Sequence, residues 1–285
     1  MPELPEVETI ARGLDKHVSG DRIDSVWVGG KPEPLKSPAA EIVSTLEHSR
    51  IARVRRVGKH IVVDLGRGRG KKSSEAQPRR TRANGKTAQW IVHLGMTGRL
   101  IVSSPEAELP KHTHLIARLA SGRELRFIDP RRFGRLSVVR ESGFAAAGAE
   151  PLDVGFEIFT GLFRKRKTPI KSALLNQKLL SGVGNIYADE ALFRAGIRPR
   201  RRSASLTREE LRRLYESLQQ VLREAIEAGG SSVSDYVDSN GDEGFFQFQH
   251  RVYQREGEPC LVCGTRIKRV VIGGRSSHYC PKCQK

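Results

Sequence analysis

A chain of 285 residues with 38% hydrophobic content is too long for one small domain and too apolar for a disordered protein, so two compact units are expected. Its 50 Lys and Arg residues against 32 Asp and Glu give a formal charge of +18, which favours nucleic acid over an acidic membrane or a merely solubilising surface. The acidic start MPELPEVETI does not fit a signal peptide and no 18-residue apolar run is present, so we expect a cytoplasmic protein without membrane spans.

The first half of the chain predicts one helix followed by an antiparallel sheet. Apolar residues recur with helical spacing from Val7 to Val18. Short alternating or apolar runs follow between residues 22 and 65 and between 89 and 140, among them IARVRRV, HIVVDL, QWIVHL and GRLSVV. Runs of this length are typical of strands in a sandwich or barrel. We place this N-terminal domain at residues 1–148.

Residues 66–88 interrupt the sheet pattern with a polar segment. The segment contains eight basic residues and one acidic residue, and it has no aliphatic core pattern. Such a composition predicts a disordered, basic insertion between two strands. Two interpretations stay open: a solvated loop, or an arm that reaches DNA phosphates.

The second half of the chain changes to helical periodicity after AAAGAEP, the best linker candidate, and we set the linker at residues 149–154. Thr168 is a predicted N-cap with Pro169 at the first helical position. Thr207 and Glu210 form a predicted capping box, and Gly229 with the following glycine ends that helix. These helices define a domain at residues 155–249.

The segment Gly182 to Asn185 predicts a glycine-rich turn that opens a short helix with Asn185 at its cap. Free backbone amides at a helix start favour an anion, so a phosphate is one candidate ligand. A tight turn between two helices without any ligand is equally compatible with the local pattern.

All four cysteines lie in the last 26 residues, in the final unit at residues 250–285. Two CxxC pairs separated by sixteen residues have the spacing of a structural zinc site with four thiolate ligands, at Cys260, Cys263, Cys280 and Cys283. A redox pair or four unrelated thiols would be the alternatives. Because four sulfurs saturate the ion, one Zn²⁺ per chain is expected to fold the unit without activating water.

The N-terminus offers a candidate nucleophile. Removal of Met1 would leave Pro2 as a secondary amine with a pKa of roughly 8, which is competent at neutral pH. Many proteins begin with Met-Pro, so this feature is weak evidence by itself.

Seven motifs together resemble bacterial formamidopyrimidine-DNA glycosylases: PELPEVET, GKH, HLGMTG, DPRRFG, KSALLNQKLLSGVGNIYADEALFRAGIRP, GGSSVSDYV and GGRSSHYCPKCQK. The resemblance covers nearly the whole chain except residues 66–88. It implies an α+β multidomain protein with an N-terminal helix and antiparallel β-sandwich, a helix-two-turns-helix module and a four-cysteine zinc finger. It also implies a monomer that binds double-stranded DNA containing oxidised bases or abasic sites.

The resemblance implies an enzyme that removes 8-oxoguanine and formamidopyrimidines and then nicks the strand by β,δ-elimination. Pro2 would attack the damaged nucleotide and form a Schiff base, with Glu3 as general acid/base. Lys59 would serve β-elimination and Arg275 δ-elimination. Since arginine is a poor proton donor, we interpret Arg275 as a grip on the phosphate near the lesion.

The resemblance also implies two groups of DNA contacts. Three side chains would fill the space of the extruded base, namely Met96, Arg131 and Phe133. Five would contact phosphates, namely His112, Arg131, Lys167, Lys171 and Asn185. Without the resemblance, Met96 and Phe133 would be assigned to strand core, and His112 with His114 to an exposed loop or an incomplete metal site. Residues 229–246 resemble the mobile loop that closes over the extruded base.

Two rival functions remain at this level. An endonuclease VIII-like enzyme for oxidised pyrimidines belongs to the same superfamily, but PELPEVET and GGSSVSDYV favour the purine branch. A non-catalytic zinc-ribbon DNA-binding protein would require a broken catalytic set, whereas Pro2, Glu3 and Lys59 are all present.

Replacing residues 66–88 with a short turn should leave folding and single-turnover excision intact, because loop length changes closure entropy by only about 0.6 kcal/mol per doubling. If the segment reaches phosphates, the deletion should weaken binding to undamaged duplex at low salt and flatten the slope of log affinity against log salt by about two units. Overlapping slopes for the full-length and deleted proteins would rule out a DNA-binding arm.

Overall fold

The computed structural model describes residues 1–67, 88–140, 143–232, 236–239 and 241–285. Most of the basic insertion therefore lies outside the described residues, as do positions 233–235 and 240 of the predicted mobile loop. At its edges the insertion is shorter than predicted, because residues 66 and 67 still belong to one strand and Ala88 begins the next. No helix in the described ranges has the length and apolarity needed to cross a membrane.

The N-terminal unit is an antiparallel β-sandwich, as predicted. Its elements in chain order are α1 (Leu4–Val18), β1 (Ile23–Val28), α2 (Ala39–Leu46), β2 (Ser49–Val57), β3 (His60–Arg67), β4 (Ala88–His93), β5 (Arg99–Ser103), β6 (Thr113–Leu119), β7 (Glu124–Ile128) and β8 (Arg135–Arg140). Four strands pair in the order β1-β6-β7-β5 and four in the order β2-β3-β4-β8. Both sheets and the apolar face of α1 contribute to one core around Trp90 and Phe127.

The second unit consists of helices followed by a small hairpin. Its elements are α3 (Phe156–Phe163), α4 (Ile170–Leu174), α5 (Asn185–Arg194), α6 (Arg208–Glu227), β9 (Lys268–Ile272) and β10 (Arg275–Tyr279). The predicted capping box of α6 is confirmed, since Thr207 Oγ1 accepts the Glu210 amide at 3.2 Å and the Glu210 carboxylate accepts the Thr207 amide at 2.8 Å. A glycine at φ +75° follows the end of α6, also as predicted.

Two helix starts differ from the sequence-based prediction by one residue. The N-cap of α4 is Pro169 and not Thr168, because the Thr168 carbonyl oxygen is engaged by the Ser203 amide at 3.0 Å. The N-cap of α5 is Gly184 and not Asn185. The reason lies in a close approach between Gly184 and the N-terminus of the chain, described below.

Each of the two units contributes a residue to the core of the other. Leu4 belongs to the core of the helical unit, and its amide donates to the Gly182 carbonyl oxygen at 3.0 Å. Conversely, Tyr236 lies in the core of the sandwich. The N-terminus is therefore built into the boundary between the units and does not fray from one of them.

Candidate active site

A cavity of about 790 Å³ lies at this junction. The N-terminus, the β2–β3 turn, the start of α5 and the β9–β10 hairpin all contribute to its wall. Among the predicted site residues, it brings together Pro2, Glu3, Lys59, Met96, Asn185 and Arg275. Residues from position 2 to position 275 of the sequence thus meet at one site.

Glu6 fixes the N-terminal segment against the helical unit. Its buried carboxylate accepts the Glu3 amide at 2.7 Å, the Ser231 amide at 2.9 Å and the hydroxyl of Tyr187. Burial raises the pKa of Glu6, and these hydrogen bonds oppose that rise. Three separate segments are held by one side chain, so the direction in which the chain leaves α1 towards Pro2 is fixed.

Glu3 has one engaged and one free carboxylate oxygen. Oε1 accepts the Ile186 amide at 3.2 Å at the start of α5, whereas Oε2 is buried and has no hydrogen-bond partner among the described residues. A Cβ at position 184 would lie 2.1 Å from the Glu3 carboxyl carbon, so only glycine allows this approach. Glu3, with this unsatisfied oxygen, thus lines the cavity together with Pro2.

The electrostatics of Glu3 and Lys59 suit proton transfer near neutral pH. Burial raises the pKa of Glu3 to about 7, with the positive charge of Lys59 opposing the shift. Burial likewise lowers the pKa of Lys59, while Glu3 and Glu6 oppose that change. A carboxyl and an amine whose pKa values approach each other can both gain and lose protons in one cavity.

Lys59 and Arg275 occupy turns on different units. Lys59 follows Gly58, which has φ +59° and donates its amide to Glu150 Oε1 at 2.6 Å. Arg275 is exposed at the start of β10, directly after the glycine turn of the hairpin. The β2–β3 turn and the zinc-ribbon hairpin therefore both reach the cavity.

The predicted space-filling side chains are exposed. Met96 is 41% and Phe133 is 47% accessible, so the assignment of these two residues to strand core is excluded. The Arg131 guanidinium lies 4.9 Å from the centroid of the Phe133 ring. Gly95, at φ +64°, contacts the backbone of Phe133 and leaves no space there for a Cβ, which holds the Met96 and Phe133 segments together.

The predicted phosphate contacts separate into distinct environments. His112 and Lys167 are exposed, and Asn185 donates from Nδ2 to Ser276 Oγ at 3.3 Å. His112 and His114 do not form a metal site, because the Nε2 atom of His114 lies 2.9 Å from the Asp129 carbonyl oxygen and only the cysteines cluster as ligands among the described residues.

Lys171 requires a correction. We predicted a phosphate contact, but the residue is fully buried, its Nζ lies 2.6 Å from Asp189 Oδ1 and it donates to the Ser276 carbonyl oxygen at 2.6 Å. The other Asp189 oxygen accepts the His278 amide at 2.9 Å. Lys171 therefore joins α4 and α5 to the hairpin that carries Arg275, and its ammonium is not available to a phosphate.

Three acidic residues that organise the site are absent from the residues predicted from the sequence, namely Glu6, Asp189 and Glu190. Each is at most 2% exposed. Charged residues of this kind are rarely buried without partners, so Asp189 and Glu190 within the otherwise apolar stretch IYADEALF were the available signal.

The four cysteines meet as predicted. Their Sγ atoms all lie within 4.8 Å of one another, and the pairs Cys260–Cys283 and Cys263–Cys280 are 3.9 and 3.4 Å apart. Zn–S bonds of about 2.3 Å place tetrahedral sulfurs about 3.8 Å apart, so the set fits zinc. The chain has one structural zinc site, closed by four sulfurs.

Comparison with known proteins agrees with this arrangement. Family models match residues 1–136 (formamidopyrimidine-DNA glycosylase N-terminal domain), 147–237 (its H2TH domain) and 257–285 (zinc finger found in FPG and IleRS). The formamidopyrimidine-DNA glycosylase of Solibacter usitatus is 45% identical over 294 aligned residues and is matched over the full length of both chains. The chain belongs to the formamidopyrimidine-DNA glycosylase family.

Solved members of this family share the whole fold. The Thermus thermophilus protein has 40% identity and a TM-score of 0.82, covering 99% of this chain and 98% of its own. A Lactococcus lactis mutant, solved with DNA containing Fapy-dG, has 30% identity and a TM-score of 0.85 with both chains fully covered.

Glu3→Gln should change stability in a pH-dependent way. Burial raises the pKa of Glu3 from 4.5 in the unfolded chain to about 7 in the folded protein. The contribution of Glu3 to the unfolding free energy of the wild type is therefore fully present below pH 4.5 and is lost as pH rises through 7. The glutamine variant should therefore be more stable than wild type by up to about 3 kcal/mol at pH 8.5, with the gap closing below pH 4.5. Urea unfolding across this range measures it, and a pH-independent difference would contradict the shifted pKa.

Lys171→Met should lower the unfolding free energy by about 3–5 kcal/mol, because it leaves Asp189 buried without its cation. The matched control Lys167→Met removes an exposed charge nearby and should stay within about 0.5 kcal/mol of wild type. An unchanged stability of Lys171→Met, together with a smaller salt slope for DNA binding, would restore the phosphate-contact assignment.

Proposed function

We propose that this protein is a base-excision-repair DNA glycosylase and AP lyase that removes oxidised purines, 8-oxoguanine and formamidopyrimidines, from double-stranded DNA. Family membership, the charge of +18 and relatives solved with Fapy-dG and abasic-site DNA support this function. The observation that carries it is the buried Glu3 carboxyl, which lines the same cavity as Pro2 and has one oxygen without a hydrogen-bond partner among the described residues.

In this proposal Pro2 is the nucleophile. Removal of Met1, which lines the cavity and is 49% exposed, frees the Pro2 nitrogen. Its lone pair forms a bond to C1′ of the damaged nucleotide as the glycosidic bond breaks and its electron pair leaves with the base. Covalent capture divides one difficult substitution into two easier steps.

Glu3 and Lys59 carry the proton transfers. With a pKa near 7, Glu3 is protonated in a large fraction of molecules at neutral pH and can donate its proton while the base leaves. The proton of the Pro2 nitrogen then passes to O4′ as the C1′–O4′ bond opens, which leaves an iminium at C1′. Lys59, whose pKa is lowered by burial, can accept the C2′ proton during β-elimination of the 3′ phosphate from this iminium. Arg275 holds the phosphate whose departure completes the δ-elimination.

The remaining exposed side chains are assigned to the DNA duplex. Met96, Arg131 and Phe133 occupy the space that the extruded base leaves, which suits an unbranched thioether, a planar cation and a ring. His112, Lys167 and Asn185 contact phosphates, while Lys171 acts only through its ion pair with Asp189. We propose that the protein acts as a monomer in the bacterial cytoplasm, where it binds nucleoid DNA.

Borohydride trapping on a duplex with 8-oxoguanine opposite cytosine tests this function. The processed wild type should form a covalent adduct, whereas a protein with an uncleaved N-terminal extension should form none, because its proline nitrogen is an amide. Glu3→Gln should bind the lesion duplex with wild-type affinity and lose excision by about 10²–10⁴-fold. Trapping by the extended protein at the wild-type rate would contradict the assignment of Pro2, and equal losses of binding and excision in Glu3→Gln would contradict that of Glu3.

A further inference from the structure

The turn at residues 252–255 carries a side chain in an unfavourable backbone conformation. The Arg255 amide donates to the Val252 carbonyl oxygen at 3.1 Å and closes a four-residue turn. Gln254, the third residue of this turn, has φ +58°. Glycine is the residue favoured at a turn position with positive φ, and a side chain there is strained. Local backbone preference therefore does not explain a glutamine at this position.

The rest of the structure prevents this turn from relaxing. The buried Glu190 carboxylate accepts the amides of Arg251, Val252 and Tyr253 at 2.9 Å. After the turn, the Arg255 guanidinium donates to the carbonyl oxygens of Arg251 at 2.9 Å and Pro259 at 3.1 Å. Strained residues persist only where the surroundings determine their conformation, and such residues cluster at functional sites.

The side chain of Gln254 has a free amide in the wall of the active-site cavity. It is exposed, lines the cavity and makes no hydrogen bond within the described parts of the chain. Tyr253, Arg275 and Ser276 also line this cavity. These residues bring hydrogen-bond donors to the cavity that Glu3 and Lys59 also line, and such donors suit the sugar-phosphate backbone of a bound strand.

We propose that Gln254 is a positioning residue whose side-chain amide donates a hydrogen bond to the backbone phosphate of the damaged nucleotide, beside the grip of Arg275. The rigid turn already fixes the backbone of Gln254, so binding restricts only the rotamers of the glutamine side chain itself. The inference rests on the proposed function, since it takes the cavity as the site of the damaged nucleotide.

Three variants distinguish the effect of losing the side-chain amide from the effect of relieving the backbone strain. Gln254→Ala removes the amide and keeps the strained φ, whereas Gln254→Gly removes both. Gln249→Ala is the matched control, because Gln249 is exposed at the end of a short 3₁₀ helix and does not line the cavity. Each protein is measured for melting temperature and for binding to duplexes with 8-oxoguanine or an abasic-site analogue, across a salt series.

Both Gln254 variants should bind each duplex about tenfold more weakly than wild type, because a hydrogen bond to a charged phosphate is lost. The salt slope should not change, since no cation is removed. Gln254→Gly should also melt about 2 °C higher, whereas Gln249→Ala should match wild type throughout.

Wild-type binding by Gln254→Ala would overturn the proposal and leave Gln254 as a turn residue only. A loss confined to the 8-oxoguanine duplex would overturn the backbone assignment in favour of a contact with the extruded base. Failure of the proposed function itself would be distinct, because the wild-type protein would then not trap lesion DNA at all.

Discussion

The burial of two carboxylates at the N-terminus is the constraint on which the site depends. Chain ends usually fray, yet the proposed nucleophile is the second residue of this chain. Glu6 resolves this conflict, since its carboxylate binds the Glu3 amide, the Ser231 amide and the Tyr187 hydroxyl. An uncompensated carboxylate in this position would cost several kcal/mol, so the three contacts must form together. The position of Pro2 follows from them.

Helix α5 contacts the elements on both sides of the cavity. Its first turn contacts the N-terminus through the Ile186 amide and the Tyr187 hydroxyl. Its next turn carries Asp189, which pairs with Lys171 of α4 and accepts the His278 amide of β10. It also carries Glu190, which binds the turn that precedes the first cysteine. One short helix thereby sets the distance between Glu3 on one side and Arg275 on the other. Because Asp189 and Glu190 both have these partners, the helix can bury two consecutive acidic residues.

The sequence predicted the local features well and the long-range ones poorly. The strands, the α6 capping box and the cysteine spacing are readable because each depends on neighbouring residues and their period. Lys171 was misassigned because its partner Asp189 is eighteen residues away and no local pattern shows that the two side chains meet. The start of α5 was misplaced for a similar reason: Gly184 is the cap because Glu3, from the opposite end of the sequence, approaches it. Leu4 lies in the core of the helical unit because the N-terminus packs against that unit, and no local pattern indicates this contact.

The direct test of this account is the identity of the residue that becomes covalently attached to DNA. Borohydride-reduced adduct on 8-oxoguanine duplex is digested with protease and nuclease, and the modified peptide is sequenced by mass spectrometry. The account predicts that the modification lies on the N-terminal peptide, at the Pro2 nitrogen of chains that have lost Met1. Modification of Lys59, which also carries an amine and lines the cavity, would contradict it.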